Sequence, residues 1–89
     1  MATLINLAGT AATETNAVFI SDANEVDKLT PETALTAAGN NGAINVWIDD
    51  EGKFRCESMR FMVSLEEQTY SDRQSVRYWI AKWLVQIGR

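Results

Sequence analysis

Carboxylates are the largest group of ionisable residues in this chain. Asp49, Asp50 and Glu51 run together ahead of Gly52, and Glu66 and Glu67 are adjacent. Hard cations favour clustered carboxylates, but this run lacks the alternate ligands and closing glutamate of a twelve-residue calcium loop. It reads as a solvated hairpin turn and, if it has a function, as a contact for a basic patch on a partner. Glu66 and Glu67 would serve acid–base catalysis only across a cleft that splits their pKa values. Nothing around them marks a cleft, so they are expected as exposed residues in the turn before the last helix, with Ser64 and Glu67 available as a local cap. Cys56 would be a nucleophile only if nearby positive charge or a helix N-terminus depressed its pKa. Its neighbour Arg55 lies on the opposite face of a strand, so the thiol is expected as a small buried hydrophobe.

The chain contains no histidine and one cysteine. That excludes Ser–His and Cys–His nucleophilic catalysis, imidazole proton transfer and most zinc or haem ligation. A lone thiol forms no intramolecular disulfide and no multi-cysteine metal site. Gly39, Gly42 and Gly52 are turn glycines without the spacing of a phosphate-binding loop. The expectation is a chain with no catalytic residues, no metal and no cofactor.

Twelve acidic and eight basic side chains leave a net charge of −4. Nucleic-acid binders need a basic footprint that releases counterions, and this balance argues against one. A local patch of Arg55, Arg60, Arg73, Arg77 and Lys82 with Tyr70 and Tyr78 could still stack bases and contact phosphates. A solvated helix face is the preferred reading of those residues. The first residues lack a basic segment followed by an apolar run, and no window approaches the length of a membrane span. Together with the single thiol, this predicts a cytoplasmic protein away from membranes.

These residues must be positioned by one small domain. The chain has 89 residues, of which 46% are hydrophobic and 22% charged, a balance that supports one packed core. Thr3 to Ala8 reads as a first strand, followed by a loop from Gly9 to Asn16, so residues 1–16 are expected to form a loosely attached strand and loop. Ala17 to Ile20 reads as a second strand, stopped by Ser21-Asp22. Asp22 and Glu25 suggest a capped turn running to Leu29. Thr30-Pro31-Glu32 has the threonine cap, first-turn proline and acidic residue of a helix start, which predicts a short helix near residues 30–38 ended by Gly39. Ile44, Val46 and Ile48 alternate with Asn45 and Trp47, the clearest strand signal in the chain. Gly52 supplies the positive φ of the next turn. Downstream, Phe54 and Cys56 share one face, while Met59, Phe61, Val63 and Leu65 fall on the opposite parity. One flat strand cannot bury both sets on one side, so a bulge or break near Glu57-Ser58 is expected, or else a sheet covered on both faces.

The last helix is the most legible element. Ser71 and Gln74 suggest a capping box, with Asp72 at the positive end of the dipole. Val76, Trp79, Ile80, Trp83, Leu84 and Ile87 make one continuous apolar stripe, and Gly88 stops it. The fold class is α+β: a small antiparallel sheet of about four strands, packed by the long C-terminal helix. Trp79 and Trp83 lie four apart and can meet along the stripe. Trp47 has the opposite parity to the isoleucine face. If the helix covers the isoleucines, Trp47 is free to anchor an interface.

The segment Gly42–Leu84 resembles a known style of protein. It has a polar-tipped hairpin, a short acidic stretch, and then a Ser/Asp-capped tryptophan helix, Tyr70-Ser71-Asp72-Arg73-Gln74-Ser75-Val76-Arg77-Tyr78-Trp79-Ile80-Ala81-Lys82-Trp83-Leu84. In this it is similar to small phage-encoded and mobile-element α+β proteins, among them anti-CRISPR inhibitors. That resemblance implies a compact non-catalytic protein that occludes a nucleic-acid-binding surface of a host complex. The expected function is therefore protein binding, with Trp47, Asp49, Asp50, Glu51, Glu66 and Glu67 facing a host protein or nucleoprotein complex. The alternatives are a self-associating assembly protein that pairs through an open sheet edge, and nucleic-acid binding by the last helix.

Overall fold

In the computed structural model, residues 17–61 and 63–88 are described. The fold is α+β. Five strands form one mixed sheet in sequential order: β1 (Ala17–Phe19), β2 (Ala34–Gly39), β3 (Gly42–Ile48), β4 (Phe54–Arg60) and β5 (Val63–Tyr70). β1 runs parallel to β2, and the remaining neighbours are antiparallel. A 3-10 helix at Ala23–Lys28 makes the crossover between the two parallel strands, and one α-helix, α1 (Arg73–Gln86), follows β5. The strand expected at Thr3–Ala8 and the loop at Gly9–Asn16 lie outside the described residues.

The expected helix at 30–38 is replaced by a turn and a strand. Thr30 and Thr33 exchange both backbone hydrogen bonds, at 3.2 and 3.1 Å, and so close a tight turn around Pro31-Glu32. The Thr30 hydroxyl does accept from the Glu32 N–H at 3.2 Å, as a cap would, but no helix follows. Proline fits the second position of a tight turn as well as the first turn of a helix. Ala34, Leu35, Thr36 and Ala37 are then buried consecutively. A strand buried on both faces reads as an unbroken run of small and apolar residues, and on paper such a run looks like a thin helical stripe.

The core lies between α1 and one face of the sheet. Leu35, Val46 and Cys56 are successive cross-strand partners on that face, and Ala37 and Ile44 pair beside them. Val76, Trp79, Ile80 and Leu84 from α1, with Ile87 just beyond it, complete one cluster together with Val26 and Leu29. Burial of such side chains contributes about 1.5–3 kcal/mol each before conformational entropy is subtracted. The Trp79 and Trp83 rings meet as expected, with centroids 6.0 Å apart.

The helix starts one residue later than expected. Asp72, not Ser71, is the cap, and its carboxylate accepts from the Ser75 N–H at 3.0 Å and the Ser75 hydroxyl at 2.9 Å. Arg73 then reaches back, its Nη1 donating to the carbonyls of Val26 and Leu29 at 2.9 Å each. At the far end, the Ile87 carbonyl accepts from Asn41 N–H at 2.9 Å, which ties the helix C-terminus to the β2–β3 turn. Gly39 permits that approach, because a Cβ there would collide with the Ile87 carbonyl.

Candidate protein-interaction surface

The parity conflict downstream of Phe54 is resolved by a hairpin. β4 ends at Arg60, which pairs with Val63, so the chain reverses tightly between them. Tight hairpin connections favour positive φ, and Phe61 takes it at +52°. For a bulky residue this is an uncommon, costly conformation. It leaves the phenyl ring 83% exposed, with the Arg60 guanidinium 5.2 Å from the ring centroid. The expected bulge is present but sits on β5. Ser58 pairs with Glu66 and Met59 with Ser64, which leaves Leu65 as the extra residue.

β5 is an edge strand, and among the described strands it is bonded only to β4. Val63 is 60% and Leu65 52% exposed, close in sequence to the exposed Phe61. Glu66 and Glu67 belong to this strand rather than to a turn, and alternation sends them to opposite faces. The local cap expected from Ser64 and Glu67 is therefore absent, because both residues stand in the β4–β5 ladder.

On the helix side, Glu66 Oε2 accepts from the Trp79 indole N–H at 3.1 Å and from the Gln68 amide at 3.2 Å. Lys82 Nζ stands 3.8 Å from Glu66 Oε1. The Trp79 hydrogen bond leads the contacts that hold the Glu66 carboxyl below its ordinary range. Glu66, Tyr70, Tyr78, Trp79 and Lys82 border a groove of about 400 Å³ between β5 and α1.

On the other face, Glu67 is the cross-strand partner of Glu57. Glu57 is 3% exposed, and its Oε1 has no hydrogen-bond partner among the described residues. Burial pushes the Glu57 carboxyl up, the Ser64 hydrogen bond pulls it down, and the Glu67 charge pushes it up again.

The acidic turn forms where expected, closed by Gly52 at φ +80°. Its members divide by role. Asp49 Oδ1 accepts the backbone N–H groups of Lys53 and Glu51 at 2.9 Å each, and its other oxygen is 3.5 Å from Arg55. Those contacts, led by the Lys53 N–H, lower its pKa, so Asp49 holds the turn together. Asp50 and Glu51 are exposed and face solvent. Trp47 corrects the expectation of an open anchor. The helix does cover the isoleucine face, yet Trp47 is only 7% exposed, packed on Ala34 with Arg55 5.8 Å from its ring.

Cys56 is buried and its thiol is pushed up to about 12, chiefly by desolvation and then by the Glu66 charge. Three of the five basic side chains weighed as a nucleic-acid patch are already engaged within the fold. Arg73 is engaged with the 3-10 helix, Arg55 with Asp49 and Lys82 with Glu66. No group of three or more possible metal ligands occurs among the described residues. No described helix is long and apolar enough to cross a membrane. Phe61, Val63 and Leu65 were missed as surface residues, although their shared parity, opposite to Phe54 and Cys56, already set them apart. Searches of family models, curated proteins and solved structures return no match to this chain.

Proposed function

We propose that this chain is a non-catalytic protein-binding module that docks through the β5 edge and its neighbouring acidic groups. The observation that carries this reading is the edge itself. Val63 and Leu65 stand exposed on an eight-residue strand that among the described strands is bonded only to β4, Phe61 is exposed in the turn before it, and Glu66 and Glu67 follow directly. Folded proteins blunt such edges with charge, proline, a bulge or a covering element; β5 carries two glutamates and a bulge, yet Val63 and Leu65 stay exposed on it. Exposed apolar side chains rimmed by charge are the anatomy of an interaction surface.

The partner chemistry follows from the charge. Asp50, Glu51 and Glu67 are exposed carboxylates on a chain of net charge −4. They complement a lysine- and arginine-lined surface, which sets association rate and specificity more than affinity. Surfaces that hold nucleic acid are lined in this way. Together with the likeness to anti-CRISPR inhibitors, this supports a reading in which the chain occludes the nucleic-acid surface of a host defence complex.

The test is capture of an expressed CRISPR effector complex from bacterial lysate on the immobilised chain. The comparison is a variant carrying Asp50→Lys, Glu51→Lys and Glu67→Lys, with Asp49 left to hold its turn. Stoichiometric capture that the triple variant loses supports the reading, and equal capture by both overturns this contact face. A second reading, self-association through β5, rests on the same exposed edge. A monomeric mass that stays constant to high micromolar protein in sedimentation equilibrium would remove it.

A further inference from the structure

We infer that the groove between β5 and α1 seats a lysine or arginine side chain carried on an extended segment that adds to the free edge of β5. The inference rests on the protein-binding reading and names the partner's chemistry.

Two independent features converge. The first is the strand. Among the described strands β5 is bonded only to β4, so its outer edge offers backbone N–H and C=O groups that an extended segment satisfies by becoming the next strand. Alternate side chains of that segment then face the helix side of the sheet, where the groove opens. The second is the groove. Tyr70 and Tyr78 supply aromatic surface beside the buried Trp79, and Glu66 supplies a carboxylate that the Trp79 N–H fixes in place. Aromatic walls around an ionised carboxylate attract a cation through both the ring faces and the charge.

The charge of the edge selects the occupant. β5 carries two glutamates and no basic residue. A second copy pairing antiparallel along the whole strand would set Glu66 against Glu67 of its mate, twice, and like charges directly opposite destabilise a ladder. A basic segment meets the opposite situation. One resident cation is already near the seat: Lys82, 3.8 Å from Glu66 and largely exposed. That spacing is longer than a close charge-assisted contact, so an incoming guanidinium can displace the lysine.

The experiment is selection of displayed random peptides of about ten residues on the full chain, followed by binding measurements on the winners. Extended, β-branched peptides with lysine or arginine at one fixed position are expected. Glu66→Gln and Tyr78→Ala should each weaken them about tenfold, and Lys82→Gln should tighten them. The amide introduced by Glu66→Gln keeps an oxygen for the Trp79 N–H, and Tyr78 is exposed, so both variants should melt close to the parent and leave binding as the readout. Val85→Ala, exposed on the same helix but outside the groove, should change nothing. Winners without a basic residue, indifference to Glu66→Gln, or a library that yields no binder would each overturn the inference. Winners that are sensitive to Asp50 and Glu51 but not to Glu66 would leave the protein-binding reading standing and overturn this seat alone.

Discussion

The Trp79 indole N–H donates to Glu66 Oε2 at 3.1 Å, joining the helix to the outermost strand of the sheet. Trp79 is 4% exposed, so this donor has little access to water. One hydrogen bond thus fixes a carboxylate beside aromatic rings at the floor of the β5–α1 groove. Glu66→Leu strands the indole N–H and should cost about 1–2 kcal/mol in urea unfolding. Glu66→Gln retains an acceptor and should cost less.

Arg73 should behave as an internal tie. Its Nη1 closes the carbonyls of Val26 and Leu29, and its guanidinium lies 5.2 Å from the Phe54 ring centroid. Arg73→Leu leaves both carbonyls without this donor and should lower stability by about 2 kcal/mol at an unchanged urea m-value. A loss below a few tenths of that would mean the contact is solvent-screened and dispensable.

Gly39 is fixed by contact rather than by turn geometry. A Cβ there meets the Ile87 carbonyl, which already accepts from Asn41. Gly39→Ala should cost about 1–3 kcal/mol through forced separation of the helix end from the β2–β3 turn. Thermal melts of the variant beside the parent check this.

Two glutamates should give opposite pH signatures. Glu25 is held at about 2, chiefly by its hydrogen bond to Lys28 and then by the Ser21 N–H. Its folded pKa lies below its unfolded value of 4.5, so its contribution is present above that pH and lost as pH falls toward 2. Glu57 is raised by burial, so the folded state binds the proton more tightly than the unfolded state, and stability gains as pH falls through the folded pKa toward 4.5. Glu57→Gln should therefore raise the melting temperature near neutral pH and abolish that gain. Glu25→Gln should flatten the acid limb instead. Melting curves across the acid range separate the two.

Cys56 should react with a thiol reagent only when the sheet opens. Its burial and its pKa near 12 leave almost no accessible thiolate at neutral pH. Labelling should follow global unfolding across a urea series. Rapid labelling without denaturant would contradict the packing of β4.

Much of the fold was legible in the residues. The Ile44–Val46–Ile48 alternation gave β3, Gly52 marked its turn, and the stripe from Val76 to Ile87 gave α1. The strand at Ala34–Gly39 was not legible, because Thr-Pro-Glu followed by Ala-Leu-Thr-Ala meets the rules for a helix start and for a turn entering a doubly buried strand equally well. The choice between them is made by tertiary burial, which local propensity does not contain. The surface was legible in charge but not in position. Glu66 and Glu67 stand out as a pair, yet only the hairpin at Phe61 turns them into an edge strand that sends them to opposite faces. Trp47 reads as an open anchor by parity alone, and the structure buries it at 7% exposure.

The most direct test of the β5 edge as the binding surface is residue-resolved NMR. The isotope-labelled full chain would be titrated with a selected basic peptide while backbone amides and tryptophan indoles are followed. The account predicts shifts concentrated at Val63–Tyr70 and at the Trp79 indole N–H, with protection of β5 amides from exchange. Shifts centred on the Asp50–Glu51 turn or on the Trp47 face, with β5 unmoved, would contradict it.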